Sequence, residues 1–279
     1  MRIDDVLLEK LNALPDSRVK EAMIYSTMSG GKRIRPNFLY EVLKGYGCSE
    51  EMGDAFAAAI EMIQTYSLIH DDLPAMDNDD LRRGNPTCHI AFDEATAILA
   101  GDGLLTYAFE VAAQSATDPA KTAKGIEILA SMAGPSGMVL GQIYDMEGEK
   151  GLTDFEQIRT IEKYKTGCLL SAPLMIGAVI AGQSEDVVAQ WHRVGEAIGL
   201  AFQVQDDVLE TELTASQFGK SSSDERNNKA TSVSLLGKEK AVETMNALYQ
   251  SAKDGIRSFE GFDGSELTAM IERIEKRRK

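Results

Sequence analysis

The stretch Leu68-Ile69-His70-Asp71-Asp72-Leu73-Pro74-Ala75-Met76-Asp77, followed by Arg82-Arg83-Gly84, decides how the chain is read. It closes a segment in which Phe56, Ile60 and Ile63 recur at helical spacing, so Asp71 and Asp72 stand in the last turn of a long helix predicted over 50–72. Asp77 follows Asp71 by six residues, which on a regular helix is a different face; Pro74 supplies the break that lets both reach one place. Acid runs are usually solvated, and Asp79 and Asp80 are read that way, paired with Arg82 or Arg83. Three acids set among Leu68, Ile69, Leu73 and Met76 are different, because a carboxylate in apolar surroundings costs free energy unless it is paired or metal-bound. Hard oxygen donors with two arginines a few residues on suit a polyanion bridged by a divalent cation.

A second acidic pair, Asp206-Asp207, lies in the apolar run Gly199-Leu200-Ala201-Phe202-Gln203-Val204-Gln205-Asp206-Asp207-Val208-Leu209-Glu210. Asp206 and Glu210, four apart, share a helix face with Gln203, and no lysine or arginine lies within a turn of Asp206 to make it an ordinary salt-bridged surface position. Two such helices suggest facing walls of one cavity, where helical bundles place metal sites. Upstream, Gly30-Gly31-Lys32-Arg33-Ile34-Arg35-Pro36 combines two glycines with three cations in four residues, a composition for holding phosphate or simply a solvated basic turn.

The remainder reads as helical almost throughout, with apolar residues at three- and four-residue spacing and little strand-like alternation. Asp118-Pro119 and Ser184 are helix starts, and Thr153-Asp154-Phe155-Glu156 forms a predicted capping box. The helices over 50–72 and 185–210 exceed the roughly 12-residue average, as in large bundles. No Pro/Gly/Ser-rich linker divides the chain, so the predicted fold is all-α: an antiparallel helical bundle around a central cavity, with residues 1–279 as a single domain. The polar, serine-rich 214–230 segment is expected to be a mobile flap.

A formal net charge of −15 argues against nucleic acid or an anionic membrane surface as the main partner. Cys48, Cys88 and Cys168 have neither metal-ligand spacing nor the even number of a disulfide framework, which fits a reducing cytoplasm. The N-terminus lacks an apolar signal core, and no run approaches the roughly 18 apolar residues of a membrane span, so a soluble cytoplasmic protein is expected.

With these motifs in hand, the chain resembles the trans-type polyprenyl diphosphate synthases of the farnesyl/geranylgeranyl diphosphate synthase family. Gly31–Pro36, Asp71–Asp77 with Arg82-Arg83-Gly84, Gly141-Gln142, Lys165-Thr166-Gly167 and Phe202–Glu210 match in order and span most of the chain. The resemblance implies the isoprenoid synthase fold, a homodimer, Mg2+ as cofactor, and isopentenyl diphosphate and allylic diphosphates as substrates. It implies that Asp71, Asp72, Asp77, Asp206, Asp207 and Glu210 serve the metal ions, directly or through water. Lys165, Lys220 and Lys229 would add charge on the allylic diphosphate, with Arg82 facing it. Lys32, Arg35, Gln64 and Arg83 would hold the isopentenyl diphosphate, and Thr166 and Gln203 would stabilise the allylic cation. Proton loss to released diphosphate needs no protein base, so His70 and His89 are read as structural.

Tyr66 and Ser67, about a turn and a half before Asp71, would project below the metal site toward the growing tail. Tyr66, with two extra residues in the first acidic motif, resembles bacterial members that make farnesyl diphosphate, and implies a C15 product; geranyl or geranylgeranyl diphosphate is the alternative. A terpene cyclase would not need Lys32, Arg35 and Arg83, and a non-catalytic subunit would not need both acid clusters. The chain departs from the family at Glu210, at Phe218–Asp224, where a glycine after Lys220 is missing, and at Thr231-Ser232-Val233. The basic end Arg277-Arg278-Lys279 is read as solvated rather than as closing over a diphosphate.

Overall fold

A computed structural model describes residues 2–148, 151, 154–211 and 230–277. Helices α1 (Arg2–Asn12), α2 (Arg18–Met28) and α3 (Ile34–Gly45) lead through a 3₁₀ turn (Glu50–Gly53) into α4 (Asp54–Asp71). A two-stranded hairpin, β1 (Leu81–Arg82) and β2 (Asn85–Pro86), precedes α5 (Cys88–Ala91), α6 (Glu94–Ala113), α7 (Pro119–Ala133), α8 (Met138–Gly148) and α9 (Phe155–Glu162). A π turn (Lys163–Gly167) joins α9 to α10 (Cys168–Ile180), and α11 (Glu185–Glu210), α12 (Ser232–Leu236), α13 (Lys238–Arg257) and α14 (Ser265–Glu275) follow.

The all-α expectation holds, and the hairpin is the only sheet among the described residues. Arg82 pairs with Asn85 across a turn whose two residues, Arg83 and Gly84, have φ of 54° and 80°, the doubly left-handed geometry of tight hairpins. The predicted starts at Asp118 and Ser184 are present: each side chain accepts a backbone N–H of the first turn, from Ala120 and Val187. The capping box moves by one residue. Asp154 accepts from the Gln157 N–H at 3.0 Å and the Gln157 side chain accepts from the Asp154 N–H at 3.2 Å, because Asp is the better cap and Gln completes the reciprocal pair. Thr153 lies outside the described residues, as does all of the 214–230 flap except Ala230.

Helices α4 and α10 are buried on nearly every side, the mark of core elements. α4 packs on α6, α10 touches α3, α7 and α11, and α11 packs along α13. One close crossing sets the register of α11. A Cβ on Gly195 would stand 2.4 Å from the Ser171 Cα, and one on Gly199 would stand 2.5 Å from the Gly167 Cα, so these helices approach backbone to backbone. The Ser171 hydroxyl spans the gap, lying 3.2 Å from the His192 carbonyl oxygen and 2.9 Å from that of Gly167. About one, two and three turns beyond Gly199 the helix delivers Gln203, Asp206 and Glu210. Gly195→Ala should therefore lower the unfolding free energy by about 1–3 kcal/mol, read as a lower denaturant midpoint; an unchanged midpoint would show that the crossing relaxes freely.

Candidate active site

The first acidic stretch leaves the helix where the sequence places the break. Asp72 makes the last helical bond, to the Leu68 carbonyl at 3.1 Å, and the chain then folds back: the Asp77 N–H donates to the Asp71 carbonyl at 2.8 Å, and the Asp79 N–H to that of Asp72 at 3.2 Å. Asp77 is thus returned to Asp71 despite the six-residue offset. The Asp71 carboxylate accepts from Gln142 Nε2 on α8 at 2.9 Å. Burial pushes its pKa up to about 6; Lys165 opposes the rise and nearby Asp77 adds to it. Asp72 has a different neighbour: it is 3% exposed, and Arg82 Nε donates to its two oxygens at 2.7 and 2.9 Å. As placed, Asp72 orients Arg82 rather than facing the cavity as a free ligand. Asp79 corrects the surface reading, being buried with its carboxylate 3.9 Å from Arg82, while Asp80 is exposed.

The basic turn splits its cations between two tasks. Arg33, the first residue before α3, has φ of 49° and is buried, its guanidinium donating to Asp4 at 2.9 Å, Glu61 at 2.6 Å and the Thr27 carbonyl at 2.7 Å. It is spent internally, which corrects the reading of three phosphate-holding cations. A cavity of about 690 Å³ is lined by Lys32 and Arg35 together with Gln64, Arg82 and Arg83; Arg33 borders it too, but with its guanidinium already committed to Asp4, Glu61 and the Thr27 carbonyl. Arg35 Nε is buried with no hydrogen-bond partner among the described residues, and burial pushes the guanidinium down to about 10. Arg83 lies against Gly31, where a Cβ would stand 2.6 Å from its Nη1, and donates to the Gly30 carbonyl.

The opposite wall of that cavity is the end of α11: Gln203, Asp206, Asp207 and Glu210. Asp207 accepts the Ser232 N–H at 2.7 Å at the start of α12, and burial pushes it up to about 6, partly offset by hydrogen bonds from Ser232 and Gln203. Arg277 overturns the solvated reading of the C-terminal basic end: it donates to Asp206 and, at 2.8 Å, to Gln205 Oε1, and stacks 3.8 Å over the Phe202 ring. No sequence neighbour of Asp206 announced this partner, which arrives from 71 residues away. Arg278, Lys279, Lys220 and Lys229 lie outside the described residues.

Between the walls stands the π turn. A Cβ on Gly141 would stand 2.0 Å from the Lys165 backbone nitrogen, so α8 presses directly on this segment. π turns accompany functional sites. Lys165 Nζ pairs with Asp145; desolvation pulls its pKa down, but Asp145, Asp71 and Glu162 outweigh that and leave it raised. The Thr166 hydroxyl donates to Glu162 at 2.8 Å, and burial pushes the Glu162 carboxyl up to about 7. Asp145 and Glu162 escaped the sequence reading, although Asp145 is three residues after Gln142 and Glu162 four before Thr166, each on a shared helix face.

Tyr66 is buried with its ring edge-on to His70 at 5.8 Å, and the Ser67 hydroxyl donates to the Gln64 carbonyl at 3.0 Å. His70 Nε2 lies 3.2 Å from the Ile98 carbonyl oxygen and His89 Nδ1 3.1 Å from the Thr87 hydroxyl, structural placements for both.

Among the described residues no three His, Cys, Asp or Glu side chains converge as a ready metal cage. The donor set nevertheless suits Mg2+, which takes hard oxygens and is commonly held by one or two carboxylates with substrate phosphates and water completing its shell. The raised carboxyls also set the pH behaviour. Asp71 and Asp207 near 6 and Glu162 near 7 bind protons more tightly folded than unfolded, where carboxyls titrate near ~4. Their destabilising ionisation is complete above about pH 7 and is relieved as pH falls toward ~4. In EDTA the protein should melt higher at pH 5.5 than at pH 7.5, and Glu162→Gln should shrink that difference; a reversed trend would contradict the assignment.

A family model described as polyprenyl synthetase matches residues 16–259. The chain is 43% identical over 265 residues to a farnesyl diphosphate synthase of Geobacillus stearothermophilus, covering 94% of this chain and 89% of that one. An apo FPP/GFPP synthase structure from Zymomonas mobilis superposes with a TM-score of 0.87 at 37% identity, covering 98% of this chain and 94% of the other. A Helicobacter pylori geranyltransferase structure complexed with magnesium and isoprenyl diphosphate superposes at 0.82 with 31% identity, covering 98% and 93%. A cationic turn across a cavity from the acidic end of α11 fits this company, and the match over residues 16–259 together with these identities and coverages makes the chain a member of the polyprenyl synthetase family.

Proposed function

We propose that the protein is a prenyltransferase that condenses isopentenyl diphosphate head-to-tail with dimethylallyl and then geranyl diphosphate, giving (E,E)-farnesyl diphosphate, with residues 1–279 acting as one domain. The observation that carries this is the cavity itself, in which Lys32, Arg35 and Arg83 face Gln203, Asp206 and Glu210. Mg2+ held by Asp71 and Asp77 on one side and Asp206, Asp207 and Glu210 on the other would neutralise the leaving diphosphate of the allylic substrate.

This chain's own groups supply the rest. Lys165, fixed by Asp145, adds positive charge beside Asp71, where the allylic diphosphate is received. Lys32, Arg35, Gln64 and Arg83, which line the cavity, hold the isopentenyl diphosphate through ammonium, guanidinium and amide donors. Arg82, oriented by Asp72, stands between the two diphosphates. As the allylic carbon–oxygen bond breaks, the Thr166 hydroxyl, its proton committed to Glu162, turns oxygen lone pairs to the cation, and Gln203 contributes its amide dipole. The isopentenyl double bond attacks the cation, forming the new carbon–carbon bond, and the resulting cation loses a proton to the released diphosphate.

Tyr66 would stop growth at C15 by closing the space below Asp71. Exposed apolar side chains at Ile98 and Leu99 on α6 and at Val139, Ile143 and Met146 on α8 support a homodimer. No helix of the described residues is long and apolar enough to cross a membrane, and the protein would act in the cytoplasm.

Incubation with dimethylallyl and isopentenyl diphosphates and Mg2+ should yield C15 product by chromatography. Failure to condense them would refute the reading. Tyr66→Ala should shift the product toward C20, and a product still ending at C15 would remove Tyr66 as the stop.

A further inference from the structure

Glu61 sits on α4 one turn before Gln64, 4% exposed, and reaches the cavity wall from beneath. Its carboxylate accepts from Arg33 at 2.6 Å, and Asp4 and the Thr27 carbonyl complete the hold on that guanidinium. Arg33 keeps a left-handed backbone, φ 49°, at the entry to α3. For a residue with a Cβ that conformation costs about 1–2 kcal/mol. The three bonds to its side chain hold it there, so the shape of the basic turn depends on a guanidinium committed to internal partners.

Two more guanidiniums answer to the same carboxylate. Neither Arg35 nor Arg83 forms an ion pair of its own among the described residues. Burial pushes Arg35 down to about 10, and Glu61 is the leading charge opposing that fall. Arg83 is likewise pushed down by desolvation, with Glu61 the leading opposing charge and Arg33 and Arg82 adding repulsion. Arg82 has Asp72 and Asp79, whereas the Arg83 guanidinium donates to the Gly30 carbonyl.

We propose that Glu61 is a positioning residue for the isopentenyl diphosphate site: it locks Arg33, and through it the basic turn, and holds Arg35 and Arg83 together in the cavity wall against their mutual repulsion. This rests on the reading of that wall as the isopentenyl diphosphate site. Positioning and bulk charge predict opposite signs. Removing a negative charge from a cationic wall, with nothing else changed, strengthens anion binding, whereas loss of the anchor lets the arginines spread and weakens it.

The test is steady-state kinetics of the full-length enzyme with Mg2+, varying isopentenyl diphosphate at saturating geranyl diphosphate. Glu61→Gln should raise KM for isopentenyl diphosphate about tenfold or more, the scale of a small misplacement of binding groups. The KM for geranyl diphosphate and kcat should stay within about twofold. The double variant Arg33→Leu/Glu61→Leu removes the buried pair as a unit, keeps the wall's net charge, and should recover much of the melting temperature while KM stays raised. A KM for Glu61→Gln that is unchanged or lower, or a double variant with wild-type KM, overturns the proposal. Arg35→Gln in the same assay separates the two levels: an unchanged KM there removes the reading of the wall itself, whereas a raised KM there with an unchanged one in Glu61→Gln removes only the role of Glu61.

Discussion

Carboxylates brought together away from bulk water repel, and the structure must place positive charge among them or hold them partly protonated. That constraint organises this molecule. Asp71 has Asp77 folded back onto its own carbonyl, and Asp207 adjoins Asp206 at the end of a mostly buried helix. The chain offers partial compensation from every direction: Gln142 and Lys165 toward Asp71, Arg82 against Asp72, Arg277 on Asp206, and the Ser232 N–H on Asp207. Asp71 and Asp207 remain raised to about 6 even so. Under the proposed function, these two acidic helix ends would receive divalent cations that arrive with a diphosphate.

The opposing feature is a wall with surplus positive charge. Arg35 is desolvated with its Nε unpartnered among the described residues, and Arg83 is laid against Gly31, where a Cβ would collide with its guanidinium. Acidic and basic walls meet in one cavity, and on the proposed function they would separate the two diphosphates by chemistry, one received through metal and one through guanidinium and ammonium groups. Geometry between them comes from close backbone approaches, Gly141 on the π turn and Gly199 on Gly167, which fix Lys165, Thr166 and Gln203 relative to each other.

Much of this was legible because it is local. Helix ends signalled by Asp118 and Ser184, the break after Asp72, and the shared face of Gln203, Asp206 and Glu210 follow from spacing and capping chemistry within a few residues. What spacing cannot give is a partner from elsewhere. Arg33 and Lys32 are adjacent and equally cationic in sequence, yet Glu61 and Asp4 draw the Arg33 side chain inward while Lys32 stays exposed. Asp79 looked like surface until the hairpin returned Arg82 to it, and Arg277 looked like a solvated tail until α14 ended beside Gln205, whose amide donates to the Ile274 and Glu275 carbonyls. The placement of the capping box at Asp154 is a smaller difference: Gln157, three residues on, completes the reciprocal pair with Asp154.

The claim on which everything rests is that the acidic ends of α4 and α11 serve one metal clamp. Counting Mn2+ ions bound in the presence of a slowly ionising thiolo analogue of geranyl diphosphate, by electron paramagnetic resonance, tests it directly. Asp71→Asn and Asp206→Asn should each reduce the number of bound ions and weaken the analogue's binding. Full wild-type Mn2+ occupancy in Asp206→Asn, with the analogue bound as tightly as before, would contradict it.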